Sequence, residues 1–138
     1  MENYELLDHT ADIGIRVKAK TVGQLFQDAA SAIFDIIAEK KNSRPGTRQT
    51  ITIRQRAENL EELFVNWLNE LLSLSAARGV IFSRFQVKRI GPRALEASAG
   101  GIGIENYRVN TEVKAATYHR LKVEKIKGGW QAEVIFDV

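Results

Sequence analysis

Apolar and polar residues alternate over 12–19. Ile13, Ile15, Val17 and Ala19 share one face, and Asp12, Gly14, Arg16 and Lys18 share the other, which predicts a half-buried strand. Thr21 and Gln24 have the spacing of a capping box, in which the hydroxyl accepts from the third helical amide and the glutamine reaches back. Leu25, Phe26, Ala29, Ala30, Ile33, Phe34 and Ile37 then recur at helical spacing and predict a helix to about Glu39. Residues 40–46 are polar and end in the turn signal Pro45-Gly46. Thr50 to Arg54 alternates again and is β-branched, so it reads as a strand. Asn59, with Glu62 three residues on, caps a second helix. Its stripe is Leu60, Leu63, Phe64, Trp67, Leu68, Leu71 and Leu74, and Gly79 ends it.

The rest of the pattern is β. Val80 to Ile90 reads as a strand whose phase changes around Ser83-Arg84, the mark of a bulge. Residues 94–99 form another, and Gly100, Gly101 and Gly103 then predict a loop or irregular edge. These glycines make no phosphate loop, because no lysine-serine/threonine pair and no helix follow them. Val113 to Ile126 alternates as one long strand. Lys127 to Trp130 supplies a two-residue hairpin turn, and Trp130 to Val138 forms the last strand. The order β-α-β-α followed by an antiparallel meander is that of an α+β fold.

Composition narrows the class. A chain of 138 residues is one domain, 1–138, with 44% apolar and 27% charged residues, as in soluble globular proteins. No apolar run approaches the roughly 20 residues that span a bilayer. The start Met-Glu-Asn-Tyr-Glu lacks the features of a signal peptide, so the expected compartment is the cytoplasm, with no membrane partner. The absence of cysteine excludes disulfides, thiolate nucleophiles and sulfur-ligated zinc. Net charge is +3, unevenly spread: residues 1–39 carry seven acids and three bases, residues 40–138 ten acids and seventeen bases. The ordinary reading is a solvated surface. The functional one is a face for RNA or an acidic protein.

Candidate chemistry gathers in a few stretches. "LDHTADIGIRV" places Asp8, His9 and Asp12 where a strand begins. In "EVKAATYHRLKVEK", His119 falls on the apolar face with Val113, Leu121 and Val123, and Lys114 on the polar one. A histidine so placed is more often structural than a ligand. At the other end, "VIFDV" sets Asp137 beside Val138 and its main-chain carboxylate. If Asp12 lies beside them, three carboxylates converge, an all-oxygen set that suits Ca2+ or Mg2+. Zinc fits poorly, with two histidines, His9 and His119, and no HExxH spacing. Glu70 sits at the rim of the second helix's stripe, where an acid points into a site or simply snorkels to water. No Gly-x-Ser-x-Gly elbow supports a hydrolase. Acid-base work by Asp8 and Asp12 has no accompanying cleft signal.

Four of these stretches, "DHTADIGI", "WLNELL", "VKAATYH" and "VIFDV", together resemble the archease family, in that family's order and across nearly the whole chain. Ala116 stands where a larger aliphatic residue is common, and the Gly100–Thr111 connection is shorter than in many members. The resemblance implies a small cytoplasmic protein that is not a stand-alone enzyme, folded as an α+β sandwich of β-sheet layers with two packed helices. It implies a chaperone-like cofactor of an RtcB-type, GTP-dependent RNA ligase in tRNA splicing and RNA repair, promoting guanylylation of the ligase's histidine and multiple turnover. A link to tRNA cytosine methyltransferases is the alternative partner. The family's metal site maps onto Asp12, Asp137 and Val138, with Ca2+ foremost and Mg2+ or Mn2+ as alternatives. Asp8, His9, Glu70, Lys114 and His119 are secondary candidates. His9 and His119 would orient the carboxylates. The basic excess of residues 40–138 is then available to the ligase or its tRNA. An RNA-binding module is the competing reading, and a metal-dependent hydrolase a distant third.

Overall fold

The computed structural model describes residues 4–7, 12–41 and 48–138. In chain order the elements are β1 (Tyr4–Leu7), β2 (Ile13–Ala19), α1 (Val22–Ile37), β3 (Ala38–Lys40), β4 (Gln49–Arg56), α2 (Leu60–Arg78), β5 (Val80–Ile90) and β6 (Ala94–Gly103). A 3-10 turn (Ile104–Asn106) then leads to β7 (Tyr107–Val109), β8 (Ala115–Ala116), β9 (Lys122–Ile126) and β10 (Gly129–Asp137). One sheet has five strands in the order β1-β2-β10-β8, with β9 also on β10. A second has the order β4-β6-β5, and β3 pairs with β7. All these pairings are antiparallel.

Each helix touches strands of both larger sheets, so the layers run sheet, helices, sheet. This is the α+β sandwich expected from the sequence. It also explains why the buried residues of α1, from Leu25 to Ile37, cover more than half its circumference: the helix has sheet on two sides. Trp67 is fully buried, and its indole N–H donates to the Phe26 carbonyl at 2.9 Å, which ties α2 to α1. The Phe26 and Phe64 rings meet edge to face at 5.0 Å in the same seam.

The helix caps follow the sequence with one exchange of partner. Thr21 Oγ1 accepts from the Gln24 amide, but the Gln24 side chain donates to Asp28 rather than reaching back. Asn59 Oδ1 accepts from the Glu62 amide, Glu62 accepts from the Glu58 N–H, and Gly79 closes α2 in the left-handed conformation at φ 61°. Helix α1 stops at Ile37, two residues before the predicted end, because Ala38 turns extended to pair with Val109.

Two expectations are corrected. The glycines after residue 99 are not a loop: β6 runs on to Gly103 as the middle strand of its sheet. A Cβ on Gly101 would lie 2.0 Å from the Ile81 carbonyl oxygen, so glycine here permits close approach of β5 next to its bulge between Phe82 and Arg84. The long strand 113–126 is also not continuous. It divides into β8 and β9, which occupy successive stretches of the same edge of β10, and residues 119–120 form a turn between them with Arg120 at φ 53°.

The break begins with a change of phase. The Lys114 N–H donates to the Asp137 carbonyl and the Thr117 N–H to the Ile135 carbonyl. Those bonds are three residues apart on one strand and two on the other, the spacing of a bulge. Ala116 therefore turns its N–H and C=O away from β10. Asn69 of α2 meets both, its Oδ1 accepting from the Ala116 N–H at 2.7 Å and its Nδ2 donating to the Ala116 carbonyl at 3.3 Å. A side-chain amide thus does the work of a neighbouring strand.

Asn69→Ala strands both backbone groups of Ala116 and lowers unfolding free energy by about 1–3 kcal/mol, read from urea denaturation followed by circular dichroism. Gly101→Ala forces the β5 and β6 backbones apart and costs about 1–3 kcal/mol by the same measurement. Gly91→Ala, with no atom within 4 Å of the added Cβ, stays within about 0.5 kcal/mol of the parent chain.

Candidate functional site

Strands β2 and β10 pair from Ala19↔Trp130 to Ile13↔Phe136. Ile13 packs against the core and Phe136 is fully buried within it. Asp12 is the residue before the last registered pair, and Asp137 the residue after it. The two aspartates, far apart in sequence, therefore flank one end of the same two-strand ladder. Strand alternation turns both away from the core face held by Ile13 and Phe136. Asp12 is half-buried, Asp137 is exposed, and Val138 follows with 44% of its surface exposed.

The opposite edge of β10 brings a cation to the same end. Ala115 pairs with Asp137, and the preceding Lys114 N–H donates to the Asp137 carbonyl at 2.8 Å. The Lys114 side chain is exposed. Farther along the outer face, Arg16 lies between Glu5 and Glu133 in cross-strand register. Its Nε donates to Glu133 at 2.9 Å and its Nη1 pairs with Glu5. The Glu133 bond, and Glu5 after it, raise the arginine's already high pKa, so this cation is permanently charged and engaged by its own two acids.

His119 does not interrupt the apolar layer as the alternation predicted. It is exposed in the turn between β8 and β9, its N–H donating to Thr117 Oγ1 at 3.3 Å. Thr117 in turn holds the Ile135 carbonyl through both its N–H and its hydroxyl. The turn thus leaves β10 two positions before Asp137. Glu70 is half-buried on α2, next to Asn69, as its rim position predicts. Asp8 and His9 lie outside the described residues.

The donors flanking this end of the sheet are carboxylate and main-chain oxygens, hard ligands of the kind Ca2+ and Mg2+ take. Among the described residues, no three His, Asp or Glu side chains form a cluster able to hold a metal ion. Two side-chain carboxylates are what the described part of the chain supplies here. Asn69 is the participant that sequence reasoning missed. It stands inside the "WLNELL" stretch and holds the strand that carries Lys114 and Ala116, but a polar residue beside an apolar stripe carries no signal of its own.

Comparison with known proteins places the chain in a family. Residues 4–138 match the model of the Archease protein family. Protein archease of Methanosarcina mazei is 37% identical over 143 residues, covering 99% of this chain and 97% of that protein. Protein archease of Pyrococcus furiosus is 35% identical over 144 residues, with all of both chains covered. The fold is similar to the solution structure of Protein 1598 from Methanobacterium thermoautotrophicum, with a TM-score of 0.76, 27% identity and full coverage of both chains. It is also similar to the crystal structure from Thermotoga maritima described as an archease and possible chaperone. There the TM-score is 0.68, with 24% identity over 96% of this chain and 94% of that one. Matched along its length by the family model and by these curated relatives, the chain belongs to the archease family.

Proposed function

We propose that this protein is an activator of an RtcB-type RNA ligase, acting as a protein cofactor rather than as an enzyme on its own. It would use the acidic end of the five-stranded sheet to promote guanylylation of the ligase and its repeated turnover. The observation that supports this reading is the register of β2 and β10, which brings Asp12 and Asp137 across from each other just beyond the Ile13↔Phe136 pair. The possible-chaperone description of the Thermotoga relative points the same way.

The physical argument starts from repulsion. Side chains opposite each other on paired strands have Cβ atoms roughly 4.5–5.5 Å apart, and like charges there are destabilising. Two acids at neighbouring positions are tolerated when a cation serves them both. Asp12, Asp137 and the main-chain oxygen of Val138 would hold Ca2+, or Mg2+ or Mn2+ in its place. Bound there, the ion supplies a positive charge for the phosphates of a nucleotide. Lys114, tied by its backbone to Asp137, stands exposed on the adjoining strand at the same end of the sheet. Asn69 keeps the Lys114 strand in place from below. The exposed turn at His119 and the exposed Tyr118 would lie at the rim that meets the ligase.

The test is to mix this protein with a stalled RtcB-type ligase, GTP and divalent metal, and to measure covalent transfer of the nucleotide to the ligase. The parent chain accelerates transfer. Asp12→Ala and Asp137→Ala each lower that acceleration about tenfold or more, the loss expected for a ligand or its close support. Lys127→Ala, in the distant hairpin turn, leaves it unchanged. Folded Asp12→Ala and Asp137→Ala proteins that activate like the parent would end the proposal.

A further inference from the structure

The solvent face of the β4-β6-β5 sheet is polar and cationic. Register sets Thr50, Gly100 and Arg84 in one row, Thr52, Ser98 and Gln86 in the next, and Arg54, Glu96 and Arg89 in a third. Arg56 extends the β4 edge, and Lys88 stands in the β5 irregularity between Val87 and Arg89. The alternate residues Ile53, Leu95 and Ala97 are buried against the helices. Glu96 is the one acid among the described residues of this outer face. Its carboxylate lies 2.6 Å from Arg89 and 3.6 Å from Arg54, whose side chains remain 81% and 72% exposed. The Arg89 hydrogen bond, with Arg54 and Lys88 behind it, holds the Glu96 carboxyl below its ordinary range. Glu96 thus stays ionised and offsets one cation, leaving the face strongly positive.

The shape suits a broad partner. Small residues of the middle strand keep the centre low, and the Arg84 guanidinium lies over Gly100, where a Cβ would come 2.7 Å from its Nη2. A shallow groove of about 520 Å³ at the Arg54, Arg56 and Arg89 end has Ile90, Ala94 and Leu95 in its lining as well.

We propose that this face binds the phosphodiester backbone of a nucleic-acid helix without reading its sequence. Guanidinium groups match phosphate oxygens bidentately, and the Thr50, Thr52 and Ser98 hydroxyls and the Gln86 amide are further phosphate donors. Among the described residues the face presents no aromatic side chain, so it has no platform for stacking the bases of a single strand. An acidic protein would call for an apolar centre, as protein–protein interfaces have. The three rows across this sheet instead present arginines, hydroxyls and an amide around a single acid, the make-up of a nucleic-acid interface. The surface belongs to the other sheet from Asp12 and Asp137, so the proposal does not depend on the ligase reading.

The experiment is fluorescence anisotropy with a labelled RNA duplex of about 16 base pairs and a DNA duplex of the same sequence. With three or four phosphates engaged, affinity falls roughly 40- to 150-fold between about 50 and 200 mM KCl. Tighter binding of the RNA duplex makes RNA the natural ligand; equal binding of both still supports a backbone site. Arg56→Gln/Lys88→Gln, two exposed positions whose melting curve tracks that of the parent, weakens binding about tenfold and flattens the salt slope by about 2. Lys125→Gln/Lys127→Gln, in the β9-β10 hairpin, leaves both unchanged. No binding of either duplex at the lower salt overturns the proposal, as does an equal loss in the two double variants. So does displacement by polyglutamate as effective, charge for charge, as by unlabelled RNA, which would mark an acidic-protein site instead.

Discussion

The β2–β10 pairing is the constraint on which the rest of this structure depends. It joins the second strand of the chain to the last, with both helices and the whole of the other large sheet inserted between them. Closing so long a connection costs chain entropy that grows only slowly with length. The seam is held by Ile15, Val17, Ala132, Val134 and Phe136, all essentially buried. Because the seam is antiparallel, the start of β2 and the finish of β10 come together. That is why acids separated by most of the sequence become neighbours.

From β10 the organisation extends outward to α2. The other edge of β10 carries β8 and β9 in succession, and the bulge at β8 turns the Ala116 backbone toward Asn69. The "WLNELL" and "VKAATYH" stretches, far apart along the chain, therefore meet as donor and acceptor. The acidic end of the sheet is shaped from three sides: by β2, by β10, and by a strand that a helix side chain holds in place. The cationic face stands on the second sheet, whose inner side buries Ile53, Leu95 and Ala97 against the same helices. A single shared core thus carries the acidic end of one sheet and the cationic face of the other.

Much of this was legible in the sequence where periodicity runs long. The alternation at 13–19, the two helical stripes, the Thr21, Asn59 and Gly79 caps and the bulge near Ser83 are all present as read. β1, β3 and β7 escaped because strands of three or four residues are too short to show a period. The break at 119–120 escaped because Thr117, His119 and Leu121 continue the alternation across it, and neither glycine nor proline marks the turn. The glycines of β6 read as a loop because their reason, close approach by Ile81 and cover by Arg84, lies on another strand. At the candidate site, residue types spoke for oxygen ligands, but the meeting of Asp12 with Asp137 came from family resemblance and then from register. Asn69 was invisible because its partner is backbone.

The most direct test of the central claim is a Ca2+ titration followed by amide chemical shifts along the whole chain. The account predicts saturable shifts concentrated at residues 12–14 and 135–138, with Lys114 and Ala115 responding at the same ion concentration. Shifts that never saturate, or that spread evenly over acids such as Glu58, Glu61 and Glu105, would contradict a shared site at the meeting of the two strands.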